Sequence, residues 1–156
     1  MVASILEQRR IEAAFAKQIF DAMEAEIGRE AAGRILGKAV VAAARTAGAD
    51  LAASTGGPSD LLAFAQLLKL WQQEDALVID WLRVEADHLD FNVTRCRYAE
   101  AYRALGVADI GGLLSCSRDG EFCAGYDPRM KLTRTQTIME GADHCDFRYA
   151  LPEGRS

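Results

Sequence analysis

Leu77-Val78-Ile79-Asp80-Trp81-Leu82-Arg83-Val84 is where the chain changes its hydrophobic period. The run is rich in β-branched and aromatic residues and is bounded by charged ones, which is the composition of a strand. Glu85-Ala86-Asp87-His88 then turns the chain, leaving His88 at the surface. Beyond the turn, Leu89, Phe91 and Val93 alternate with Asp90, Asn92 and Thr94. Alternation of that kind marks a strand with one buried face. Everything upstream of Leu77 reads differently, and that contrast decides the fold class.

Upstream, Ile11, Phe15, Ile19, Met23 and Ile27 recur every four residues among charged positions. The spacing predicts one amphipathic helix from Ser4 to Ile27 with that stripe inward. A second helix is expected from Arg29 to Ala53, burying Ile35, Leu36, Ala39, Val40, Ala43 and Ala47. Its Gly33 and Gly37 would admit a neighbouring helix closely, at some cost in helicity. Ser54-Thr55-Gly56-Gly57-Pro58 is the strongest break in the chain. Ser59 is then the expected N-cap, with Asp60 in the first turn of a third helix that runs through Phe64 to Trp71.

Downstream of the strand pair, Cys96 to Leu105 reads as a short helix stopped by Gly106. A further helix is expected from Asp109 to Cys123, before the Tyr126-Asp127-Pro128 turn. Met130 to Met139 and Cys145 to Tyr149 complete the pattern as two strands around Gly141. Helices first and strands later make the class α+β. N-terminal helices pack on a mainly antiparallel sheet of about four strands, with two shorter helices inserted between the strand pairs. Residues 1–150 are expected to form one domain, and Leu151 to Ser156 a disordered tail.

The chain has 156 residues, 50% of them hydrophobic, enough to bury a sizeable core. Its 18 basic and 23 acidic residues leave a net charge of −5 with no basic stripe, which argues against nucleic acid as a partner. No apolar run reaches the ~20 residues that would span a bilayer, and the first ten positions lack a signal-peptide pattern. A cytoplasmic protein is the expectation. In a reducing compartment its four cysteines, Cys96, Cys116, Cys123 and Cys145, are better candidates for buried thiols, catalytic groups or ligands than for disulfides.

Three polar-rich segments carry chemistry: Asn92-Val93-Thr94-Arg95-Cys96-Arg97-Tyr98-Ala99-Glu100, Ser115-Cys116-Ser117-Arg118-Asp119, and Thr133-Arg134 through His144-Cys145-Asp146-Phe147-Arg148-Tyr149. Together they resemble the L-2-amino-thiazoline-4-carboxylic acid hydrolase family. The resemblance implies a hydrolase acting on the C–N/C–S bonds of a small cyclic amidine-type substrate. The family's namesake reaction opens 2-amino-thiazoline-4-carboxylate to a carbamoylated cysteine. Such chemistry needs a carboxylate anchor, a base or nucleophile, and an acid for the leaving group.

On a helix, Cys116, Asp119 and Cys123 share one face, since a turn takes ~3.6 residues. Asp119 is the candidate acid/base, and Cys116 or Cys145 the candidate nucleophile. The bland alternative is buried thiols, and it is the preferred one for Cys123. His144 and Cys145 point to opposite sides of a regular strand, so a dyad between them is discounted. Arg134 is the candidate substrate anchor or, equally, the partner of an internal carboxylate such as Asp119, Asp146 or Glu100. Arg95, Asn92 and Tyr98 are further candidate substrate contacts. Arg95 is also a ready salt-bridge residue and Tyr98 a ready core residue.

No cofactor is required by these residues. Zinc on the cysteines is the weaker reading, because their spacings of 20, 7 and 22 lack a C-x₂₋₄-C pair. The expected partner is a small-molecule carboxylate substrate, with neither nucleic acid nor membrane. A non-catalytic binding or sensor domain with a polar cavity is the alternative function. A homodimer through the Ala/Gly-rich helix, Ala31 to Ala53, is compatible with either.

Overall fold

Ser4 accepts a hydrogen bond from the Glu7 amide (3.2 Å) and so caps the first helix, α1 (Ile5–Ile27). Gly28, at φ +83°, breaks the path before α2 (Arg29–Ser54). The computed structural model describes residues 2–152. The expected extent of α1 holds, but its orientation is reversed. Ile11 and Phe15 are 60% and 64% exposed, Ile19 and Ile27 are exposed too, and Met23 is half-buried. Leu6, Ala13 and Phe20 face inward instead. Both stripes have helical spacing; Ala13 is completely covered, so it marks where a neighbour comes close, which favours the small-residue side.

On α2 the same correction applies to most of the expected face. Val40 is buried, but Ile35, Ala39, Ala43 and Ala47 are exposed, and the buried set is Ala32, Val40, Ala44, Gly48 and Ala52. The close approach occurs at Gly48, where an added Cβ would collide with the Phe122 carbonyl oxygen. Gly33 faces open space, and Gly37 meets only the Leu113 side chain. The Gly48 side of α2 is therefore occupied inside the chain and is not offered to a second copy.

The third helix, α3 (Leu61–Leu67), is capped one residue later than expected. Asp60 rather than Ser59 accepts from the Ala63 amide (2.9 Å). A 3₁₀ turn, Leu68–Leu70, carries the chain to a half-buried Trp71. Strands β1 (Leu77–Val84) and β2 (His88–Cys96) follow as expected, with His88 half-buried at the start of β2. Next come α4 (Arg97–Ala104) and α5 (Ala108–Gly111). A π-helical turn (Gly112–Cys116) joins α5 to α6 (Ser117–Tyr126).

The last two strands are β3 (Lys131–Thr133) and β4 (Cys145–Ala150). All pairings are antiparallel, in the order β1-β2-β4-β3. The third strand is shorter than the Met130–Met139 predicted. Asp146 explains this, because its carboxylate takes the Thr135 and Gln136 amides at 2.9 and 3.0 Å, diverting them from a ladder. Thr137 then caps a 3₁₀ turn, Ile138–Glu140. Register pairs Leu89 with Tyr149, Phe91 with Phe147 and Val93 with Cys145 on the inner face of the sheet. Asp90 with Arg148 and Asn92 with Asp146 lie on the outer face. The inner face, α3 and α6 enclose the largest apolar cluster, including Leu61, Phe64, Leu89, Val93 and Tyr126.

Leu151 is held by a hydrogen bond from its amide to the Asp87 carbonyl (2.9 Å), so the expected disordered tail does not begin there. Its remaining positions, 153–156, lie outside the described residues. Among the described residues, no helix is long and apolar enough to cross a membrane.

Candidate active site

A cavity of about 100 Å³ lies between the sheet's inner face and the helices. Aromatic rings form much of its apolar wall: Phe91, Phe147 and Tyr149 from the strands, Phe64 and Trp71 from the α3 region, and Phe122 from α6. Phe91 and Phe147 stack at 4.9 Å between ring centroids. Strand alternation places Cys145, Phe147 and Tyr149 together on this side, as expected, while His144 and Asp146 fall outside. Cys116 and Asp119 reach the cavity from the end of the π turn and the first turn of α6. Two back-bonds hold that junction, Ser117 Oγ to the Leu113 carbonyl (2.6 Å) and Arg118 Nε to the Leu114 carbonyl (2.8 Å). Cys123 is buried in the apolar cluster rather than on the cavity wall.

Arg134 enters from the loop after β3 and makes the central polar contact. Its Nη1 donates to Asp119 Oδ2 at 2.6 Å and its Nη2 to the Cys116 carbonyl at 3.0 Å. Its guanidinium also lies 5.1 Å from the centre of the Phe147 ring. Both partners line the cavity. Burial is the largest influence on Asp119 and holds its carboxyl above the ordinary range, with Arg134 pulling the other way. Burial alone would lower Arg134, but Asp119 overrides it and keeps the guanidinium firmly charged. The two directions differ because the carboxyl is the group that can give up its charge. We therefore take a fixed cation beside a proton-accepting carboxyl as the state of the pair.

The thiols behave alike. Burial pushes Cys116 up to about 12 and Cys96 up to about 11, and it raises Cys145 as well. Cys145 Sγ accepts the Ile138 amide (3.2 Å) and Cys96 Sγ the Ala99 amide (3.4 Å). At neutral pH these groups are neutral thiols, whereas nucleophilic cysteine needs the thiolate. Tyr98 lines the cavity, buried, with its hydroxyl donating to the Trp71 carbonyl (3.1 Å).

Asn92 and Arg95 lie outside the cavity. Asn92 Oδ1 accepts from Arg148 (2.9 Å) on the outer face of the sheet. Arg95 is exposed and paired with Glu100 (2.9 Å). His144 sits against Asp143 and Gln136. The lining also includes Arg9 and Arg118, which were not among the candidate site residues, and Cys96, which was considered only with the other cysteines as a thiol or metal ligand. Arg9 had a signal: it falls on the Leu6–Ala13–Phe20 face of α1, a charge within the buried stripe. Among the described residues, the group able to bring three metal-ligating atoms together is Glu85, Asp87 and His88 at the β1–β2 turn, and it includes no cysteine.

Residues 8–149 match the family described as L-2-amino-thiazoline-4-carboxylic acid hydrolase. The chain belongs to this family. No curated protein matches it. Among solved structures it is similar to the phenol-responsive sensory domain of the transcription activator PoxR, determined with phenol. That likeness has a TM-score of 0.53 at 15% identity and covers 92% of this chain and 76% of the other. At that identity the two share a fold, and the fold does not carry function.

Proposed function

We propose that the cavity hydrolyses a small cyclic amidine-type carboxylate of the kind for which the family is named. Asp119 is the group that carries this reading: a carboxyl on the cavity wall, raised by burial and held by Arg134. A carboxyl poised above its usual range serves as a general base and then as a general acid. Asp119 takes a proton from water as the water oxygen bonds to C2 of the thiazoline ring, and the C2=N3 double bond becomes single as N3 takes up a proton from solvent. Collapse of the tetrahedral centre forms a carbonyl as the C2 hydroxyl returns its proton to solvent, and it breaks the C2–S bond. The sulfur leaves with the proton returned by Asp119, giving an N-carbamoylated cysteine.

Cys116 and Cys145 shape the pocket in this scheme, because their neutral thiols argue against covalent attack. Arg134 positions Asp119 and is already engaged by it. Turnover is read as new free thiol released from 2-amino-thiazoline-4-carboxylate. The expected result is release above the uncatalysed rate, falling at least about a hundredfold in Asp119→Asn, the scale of a lost acid/base group. No release by the wild-type protein, or full release by Asp119→Asn, would sink the reading.

The aromatic lining and the neutral thiols favour one second reading, a binding or sensor domain without turnover. The PoxR sensory domain, which shares the fold, responds to phenol, and a pocket walled by Phe91, Phe147 and Trp71 suits a small ring equally well. Tight binding of a small ring compound without thiol release would select that reading.

A further inference from the structure

The charges on the cavity wall do not balance. Arg9, Arg118 and Arg134 line it against a single carboxylate, Asp119. Arg134 is spent on Asp119 and the Cys116 carbonyl. Arg9 and Arg118 share one further carboxylate, Glu12, which lies outside the lining. Arg9 Nη1 donates to both Glu12 oxygens, at 2.9 and 2.7 Å, and Arg118 Nη2 reaches the same group at 3.4 Å. Two guanidinium groups on one carboxylate leave one positive charge over.

These are sheltered cations: each side chain is only 17% exposed. Burial lowers Arg118, and the neighbouring Arg9 lowers it further, as expected where positive charge is under-compensated. A buried charge without a partner is costly. A carboxylate ligand would remove that cost and could be gripped bidentately by a guanidinium. Glu12 is 48% exposed on α1, so it can give way to such a ligand.

We infer that Arg9 and Arg118, bridged by Glu12, form the subsite for the anionic group of the cavity's ligand. It rests on the small-carboxylate reading above and moves the anchor from Arg134 to a pair contributed by α1 and α6. The ligand's carboxylate meets Arg9 and Arg118, its ring lies among the aromatic side chains, and the reacting carbon is left to Asp119.

Calorimetric binding of matched acid and amide pairs tests the subsite without turnover. The probes are benzoate with benzamide, and 2-amino-thiazoline-4-carboxylate with its primary amide. The wild-type protein is expected to prefer each acid by about tenfold or more, the scale of a sheltered charge pair. Arg118→Gln and Arg9→Gln are each expected to erase most of that preference while changing amide affinity less than about threefold. Thermal melting of both variants identifies one that fails to fold, and the other then decides. Equal affinity of the wild type for acid and amide, no binding of either, or a preference surviving in the folded variants would overturn the subsite. A benzoate preference present in the wild type and lost in the variants, with no thiol released by the wild type, would uphold the subsite while sinking hydrolysis.

Discussion

Each side of the β2–β4 pair carries an aspartate and an arginine, Asp146 and Arg148 on the strand itself and Asp119 and Arg134 packed against the inner face, and uses them oppositely. On the outer face, Asp146 binds Thr135 and Gln136, and Arg148 binds Asn92 and the Phe91 carbonyl, so the polar groups satisfy one another. Hydrogen bonds from Thr135 and Gln136 outweigh burial and hold Asp146 down at about 2. On the inner side, Asp119 and Arg134 sit among aromatic rings and neutral thiols, and burial pushes the carboxyl up. One carboxylate is locked in its charged form as a structural staple, while the other is left able to exchange a proton. Residue type therefore says little about role here; the side of the sheet says more.

The largest expected effect comes from breaking the inner pair. Arg134→Ala leaves Asp119 without its cation, and loss of its charged hydrogen bonds should cost roughly 2–3 kcal/mol. Arg148→Ala on the outer face removes ordinary hydrogen bonds and should cost about 1–2 kcal/mol. Urea denaturation of the two variants ranks them, and a larger loss at Arg148 would break the comparison. A second effect concerns the thiols. With Cys96, Cys116 and Cys123 at about 11 to 12 and Cys145 raised, alkylation by iodoacetamide at pH 8 should run roughly a hundredfold slower than for free cysteine. One fast thiol would restore the covalent mechanism.

The smallest effect is in acid. Asp146 is depressed from 3.8 to about 2, so its stabilisation is complete above pH 4 and disappears as pH falls through 2. Because the group is partly open to solvent, about 1 kcal/mol is at stake. Asp119 has the opposite sign: raised from 3.8, it makes stability fall as pH rises from that value through its folded pKa. Denaturation followed from pH 2 to 6 should therefore lose its acid-side slope in Asp146→Asn and its opposing slope in Asp119→Asn.

Much of this was legible in the sequence. Alternation from Leu89 to Val93 and from Cys145 to Tyr149 set both the strands and their inward residues, including Cys145. Helical spacing put Cys116 and Asp119 together, and the alternative partner considered for Arg134, Asp119, is the one found. What was not legible depends on contacts remote in sequence. Ile11 and Leu6 lie on rival apolar stripes of α1, and only the packing of α2 and α4 chooses between them. Asn92 is different: it belongs to the polar phase of its strand, so its outward position was legible in the same alternation that turns Phe91 in. Arg9 reaches the cavity from α1, 110 residues before Asp119 in the chain.

Gly48 and Gly125 have a mechanical consequence. An added Cβ at either would strike the backbone of the opposite helix, the Phe122 carbonyl in one case and the Arg45 carbonyl in the other. Main chains in mutual contact can neither close further nor slip past each other, so α2 and α6 act as a single plate. Any adjustment of the cavity to a molecule inside it therefore falls to its other walls, and α1 contributes one of them through Arg9.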